Sequence, residues 1–129
     1  MTKGKSLNRK KKKILYVVTS GTESPERAYA PFITATTAVA MGIDATIYFL
    51  IKGATLVKKG EAEKIKLGSF PSLKKEIDQA IAAGVKLEVC EQSCKLLGLE
   101  RGGFIDAAEI VGAATLNDRL LDADAVLTF

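Results

Sequence analysis

The chain has 129 residues, 47% of them hydrophobic and 26% charged, with no tryptophan and no histidine; this is the composition of one globular domain and excludes a disordered chain. The net charge of +4 is unevenly placed. Seven of the 19 Lys and Arg side chains fall in residues 1–13 with no acid among them, leaving 12 against 15 acidic groups in the rest, a net of −3.

Residues 1–12 read as a basic, solvated tail. The body that follows is mildly acidic and lacks an aromatic-lined basic stripe, which argues against nucleic acid as its partner. Ile14–Val18 is much shorter than the roughly 7–15 apolar residues of a secretory signal, and no window approaches the roughly 20 of a membrane span. The expected location is the cytoplasm, where cysteines stay reduced.

Residues 13–129 read as a single domain. Ile14–Thr19 (ILYVVT) is short, β-branched and unalternating, the pattern of a strand buried on both faces. Ser20–Pro25 is turn chemistry, with Ser24 as helix N-cap and Pro25 at the first helical position. Ala28, Phe32, Ala35, Thr36, Val39 and Ala40 then recur at helical spacing as far as Gly42. Ala45–Ile51 is a second buried strand. Lys52–Pro71, marked by Gly53, Gly60 and Gly68, is long for a connection and points to a function or a subunit contact; Ala54–Lys59 suggests a short helix within it.

Leu73, Ile77, Ala80 and Ile81 form the stripe of a helix stopped by Gly84. Val85–Cys90 is the third strand, Glu91–Leu97 a short helix closed by Gly98, and Glu109–Gly112 the fourth strand. Thr115 with Asp118 has the spacing of a capping box for a helix over Thr115–Leu121. Ala125–Phe129 is the fifth strand. Buried strands alternating with helices predict an α/β fold: a flavodoxin-like, three-layer domain with a five-stranded parallel sheet in the order 2-1-3-4-5. That order makes strands 1 and 3 neighbours and sets Ser20–Ser24 and Cys90–Cys94 at the switch point where such sheets bind ligands.

Cys90 and Cys94 are the only cysteines. Two thiolates without histidine leave a tetrahedral zinc site two ligands short, so no metal is expected. A helical i, i+4 pair has Cβ atoms about 5–6 Å apart, against about 3.5–4.5 Å in a disulfide, so a bond between them needs the first turn to unwind. Both could be small buried hydrophobes, a reading that suits Cys94 well. Cys90, at a strand-to-helix junction, meets the N–H groups of a helix start, which favour thiolate. Glu88 and Glu91 oppose it and Lys95 compensates, so the sign stays open at this level. With no histidine as base, chemistry at Cys90 needs a preformed thiolate or a reactive substrate.

Taken together, the segments TSGTESPERA, the small-residue helix ending in AMG, FLIKGATLVKKG, VCEQSCKLLGL and EIVGAATLNDRLLDADAVLTF resemble, in order and spacing, the DsrE/DsrF/TusD family of small sulfur-relay proteins. The resemblance covers about Lys13 to Phe129. It implies a flavodoxin-like subunit that assembles into trimers or hexamers of identical chains. It also implies sulfur carried as a persulfide or thiosulfonate on one cysteine, received from one protein and handed to another, without a cofactor. The matching cysteine is Cys90, with Gly98 as the glycine eight residues on; Cys94 has no counterpart shared by all members. Cys94 is then an accessory thiol, resolving or packing. Gly21, Thr22 and Ser93 are candidate residues for binding a small sulfur anion, the first two forming the lip opposite Cys90. Two other readings stay open: a non-catalytic module for a small anion or nucleotide, although P-loop and GxGxxG patterns are absent, and a peroxiredoxin-like thiol protein.

Overall fold

The structure is a computed structural model that describes residues 11–129; the basic tail predicted for residues 1–12 lies, up to residue 10, outside the described residues. The elements run β1 (Lys13–Val18), α1 (Pro25–Ala40), β2 (Asp44–Phe49), 3-10 segments at Ile51–Val57 and Ala62–Lys64, α2 (Leu73–Ala83), β3 (Lys86–Cys90), α3 (Glu91–Leu97), β4 (Ala108–Val111), α4 (Ala113–Asp122) and β5 (Ala125–Thr128). Pro25 opens α1, where its missing N–H costs nothing. Gly84 and Gly98 end α2 and α3 in the left-handed region, at φ 99° and 68°, which glycine enters without a Cβ clash. The capping box predicted at Thr115 is not used: α4 begins two residues earlier, with Gly112 at the N-cap position, so Thr115 sits inside the first turn.

The five strands form one parallel sheet, and the α/β class is as predicted. Along the sheet the order is β4-β3-β2-β1-β5. β3 therefore pairs with β2, Phe49 opposite Val89, whereas the order 2-1-3-4-5 had it beside β1. The physical reason is a run of three one-step crossovers, β1 to β2 to β3 to β4, all in one direction. Right-handedness then puts α1, α2 and α3 on one face, and only the return from β4 to the far side of β1 carries α4 across the other.

Strand alternation sorts the core accordingly. Tyr16, Val18, Ile47, Phe49, Leu87 and Val89 face α1 and α2, in a cluster with Ala28, Phe32, Leu73 and Ile77. The rings of Phe32 and Phe49 lie 5.8 Å apart, and each such buried side chain contributes about 1.5–3 kcal/mol. Leu15, Val17, Tyr48 and Cys90 face the other way, against Leu116 of α4. This second layer is thin: no residue of α4 is buried, and Leu121, Val126 and Leu127 are exposed.

The long Lys52–Pro71 connection is not a free loop. Gly53, Ala54, Leu56, Val57, Ala62 and Ile65 are buried, the Ile105 amide donates to the Val57 carbonyl, and Lys58 bridges to Phe104. No helix among the described residues is long and apolar enough to cross a membrane.

Candidate functional site around Cys90

The strand KLEVC alternates so that Leu87 and Val89 enter the main core while Glu88 and Cys90 share the α4 face. Cys90 ends β3 and is also the N-cap of α3, with extended backbone (φ −69°, ψ 121°). Its Sγ accepts a hydrogen bond from the Ser93 amide at 3.4 Å, and its thiol donates to Gln92 Oε1 at 3.7 Å. Leu15, Val17 and Tyr48 pack around it, with Leu50, Val111, Leu116 and Ala123 at the margin. Cys90 is 5% exposed, so its sulfur lies just beneath the surface rather than in an open cleft.

Tyr48 forms the floor. It is fully buried on β2, and its hydroxyl donates to the Gly112 carbonyl at 3.2 Å, at the start of α4. Burial first, and the adjacent Cys90 second, push the phenol far above its ordinary range. Glu88 is also buried, yet its charge is met: Arg119 of α4 donates from Nε to Oε1 at 2.9 Å and from a terminal nitrogen to Oε2 at 2.5 Å. This two-pronged pair holds α4 over the Cys90 face, and it raises the guanidinium above its usual value. Lys95, assigned the compensating role in sequence, is exposed; Arg119 does that work.

Cys94 lies one turn further on and belongs to the main cluster on the other side of the sheet, 3% exposed. Burial, then proximity to Cys90, raises its thiol above the ordinary value. Both cysteines are free. The two thiols thus belong to different core layers.

Ser93 is buried, and its hydroxyl accepts from the Ile51 amide at 2.6 Å. That contact holds the chain where Ile51 adopts a left-handed φ of 55°. Ser93 thus fixes the segment after β2 against α3. Gly21 and Thr22 do not meet Cys90 across one crevice, because β2 and Ile51–Val57 stand between β1 and β3. Their amides are taken: Gly21 donates to both carboxylate oxygens of Glu23 (2.9 and 3.1 Å) and Thr22 to Thr55 Oγ1 at 3.1 Å. A Cβ on Gly21 would lie 2.0 Å from the Lys52 carbonyl oxygen, so glycine there serves close packing. A cavity of about 340 Å³ opens at the opposite, N-terminal edge of the strands, between Lys13, Asp44, Lys86 and Arg119, and neither cysteine lines it.

Tyr48, Gln92 and Arg119 are the site residues that sequence reasoning missed. A signal existed for two of them. Glu88 is the one acid inside VKLEVC and shares the parity of Cys90, next to the sheet interior, so a cation was owed to it, and Tyr48 is the polar tip within the apolar run ATIYFLI.

Similarity to other proteins follows the same outline. The chain is 36% identical over 102 residues to the uncharacterized protein MJ0760 of Methanocaldococcus jannaschii, a match over 78% of this chain that spans only 37% of that longer protein. It is 29% identical over 120 residues to MJ0989 of the same organism, covering 91% of this chain and 99% of the relative. Among solved structures, the YchN protein of E. coli superposes with a TM-score of 0.66 at 22% identity, over 92% of this chain and 99% of that one. MTH1491 of Methanobacterium thermoautotrophicum superposes with a TM-score of 0.69 at 10% identity, over the same shares; both likenesses concern the fold. With a family model matching residues 12–129, the chain belongs to the DsrE/DsrF-like family.

Proposed function

We propose that this protein is a cytoplasmic sulfur carrier of the sulfurtransferase type, holding sulfane sulfur on Cys90. The observation that carries the reading is the setting of Cys90 in a DsrE/DsrF-like chain. Its sulfur ends β3, receives the Ser93 N–H, touches the solvent-exposed Gln92, and has its nearest buried carboxylate neutralised by Arg119. Loading needs no general base in the protein. The Cys90 thiolate attacks the outer sulfur of a donor persulfide, R–S–SH; the donor S–S bond breaks, R–S⁻ leaves, and Cys90–S–SH forms. Delivery is the same exchange in reverse, with an acceptor thiolate attacking the outer sulfur and Cys90 leaving as thiolate. No electrons are gained or lost overall, and no cofactor is called for.

Donor and acceptor proteins and small sulfur anions are the partners in this reading, together with identical subunits in a trimer or hexamer. Exposed Leu121, Val126 and Leu127, on the thinly covered α4 and β5, support such an assembly. Incubation with polysulfide followed by intact-mass measurement tests the reading. The wild type and Cys94→Ser should gain the mass of added sulfur, removable by reductant, and Cys90→Ser should not. Equal uptake by Cys90→Ser overturns it.

A further inference from the structure

The sulfur of Cys90 is bounded on most sides by backbone and by buried side chains. Behind it is backbone, the Ser93 amide at 3.4 Å. Beneath it Tyr48 is buried, its hydroxyl donating to the Gly112 carbonyl at 3.2 Å and also within reach of the sulfur, but fixed in place with no access to solvent. The Ser93 hydroxyl is committed to the Ile51 amide, and Leu15, Val17 and Leu116 are apolar. Gln92 differs: its side chain is exposed, and its Oε1 lies 3.7 Å from Sγ.

A carboxamide carries an acceptor and a two-proton donor on one carbon, and its terminal torsion is soft and roughly two-fold. A half-turn exchanges one for the other. Facing a neutral thiol, the oxygen accepts S–H. Facing a sulfur anion, the oxygen repels and the NH₂ group donates. Loading extends the side chain by one S–S bond of about 2.05 Å. Of the polar side chains in contact with Sγ, Gln92 is the exposed one, so an added sulfur that extends toward solvent on that side meets this carboxamide.

We infer that Gln92 is the gate of Cys90: it accepts from the resting thiol, turns to donate to the sulfur anion, and controls how fast an outside thiol or electrophile reaches that sulfur. The donation to an added sulfur rests on the carrier reading; control of the bare thiol does not. Gln92 thus positions and shields the reacting atom without bonding to it covalently.

Two variants at this solvent-facing position separate the inference from a fold effect: Gln92→Ala, which uncovers the sulfur, and Gln92→Glu, which keeps size and shape but cannot donate and adds a negative charge. Cys94→Ser is the common background, so that iodoacetamide reports on Cys90 alone. At neutral pH the alkylation rate should rise several-fold in Gln92→Ala and fall about tenfold in Gln92→Glu, since a like charge beside the sulfur disfavours thiolate. After polysulfide loading, sulfur release to cyanide should quicken several-fold in Gln92→Ala. Rates within twofold of the parent in both variants overturn the inference, as does Gln92→Glu reacting faster than Gln92→Ala. If the parent takes up no sulfur, the carrier reading falls, and the alkylation order still decides whether Gln92 gates the thiol.

Discussion

Replacing Arg119 by alanine tests the most consequential contact outside the thiol itself. Glu88 has a side chain 3% exposed, and Arg119, at 35%, is its only ion-pair partner among the described residues. Truncating the arginine leaves a carboxylate inside the sheet with nothing to answer it. The paired charges sit roughly 4 Å apart, which at an effective dielectric of about 20 is worth about 4 kcal/mol. Removing one partner of a buried pair costs about 3–5 kcal/mol, and the partial exposure of Arg119 lets water recover some of it, so about 3 kcal/mol is expected. With a urea slope of about 2 kcal/mol/M, the unfolding midpoint should fall by about 1.5 M. Because the same pair holds α4 against the Cys90 layer, Cys90 should also alkylate several-fold faster in the variant under native conditions. The double variant Glu88→Leu with Arg119→Leu should recover most of the loss, since an apolar replacement strands no charge. A single variant no less stable than the wild type, or a double variant worse than the single, would refute the argument that the orphaned carboxylate is the cause.

Three further outcomes are expected. Gly53→Ala should destabilise by about 3 kcal/mol or yield insoluble protein, because its Cβ would sit 2.0 Å from the Val18 carbonyl oxygen, against backbone that cannot yield; an unchanged melting curve would contradict this. Ile51→Gly should be neutral or stabilising by up to about 1 kcal/mol, because a β-branched residue at φ 55° with a 42% exposed side chain gains little from burial and is strained by about 1–2 kcal/mol; a clear loss in chemical denaturation would show that its side chain matters more than its backbone. Burial raises Tyr48, Tyr16 and Cys94 above their ordinary values. Their contributions to stability are therefore complete below the unfolded-state values, and are withdrawn as pH climbs through the higher folded-state ones. Stability should fall as pH rises past the ordinary thiol value of 9.0. In a Tyr29→Phe background, phenolate absorbance should then appear together with loss of helical circular dichroism, and phenolate absorbance near pH 10 with helicity intact would count against it.

Local patterns determined much of this protein. Period-two and period-3.6 spacing, with Pro25 at one helix start and Gly84 and Gly98 at two helix ends, placed the five strands and four α-helices within a few residues, because side-chain direction along one element depends on neighbours close in sequence. The same local logic put Cys90 at the end of β3 and Cys94 one turn into the next helix. The order of strands was beyond it: a buried apolar run looks the same whichever strand it pairs with, so only the three successive one-step crossovers decided that β2 separates β1 from β3. The site followed suit. Glu88 finds its cation 31 residues away in Arg119, Tyr48 arrives beneath the sulfur through the pairing of β2 with β3, and Glu23 and Thr55 take up the amides of Gly21 and Thr22. These contacts are set by how layers stack, and the energy of burying a charge or filling a gap is known only once the whole sheet is closed.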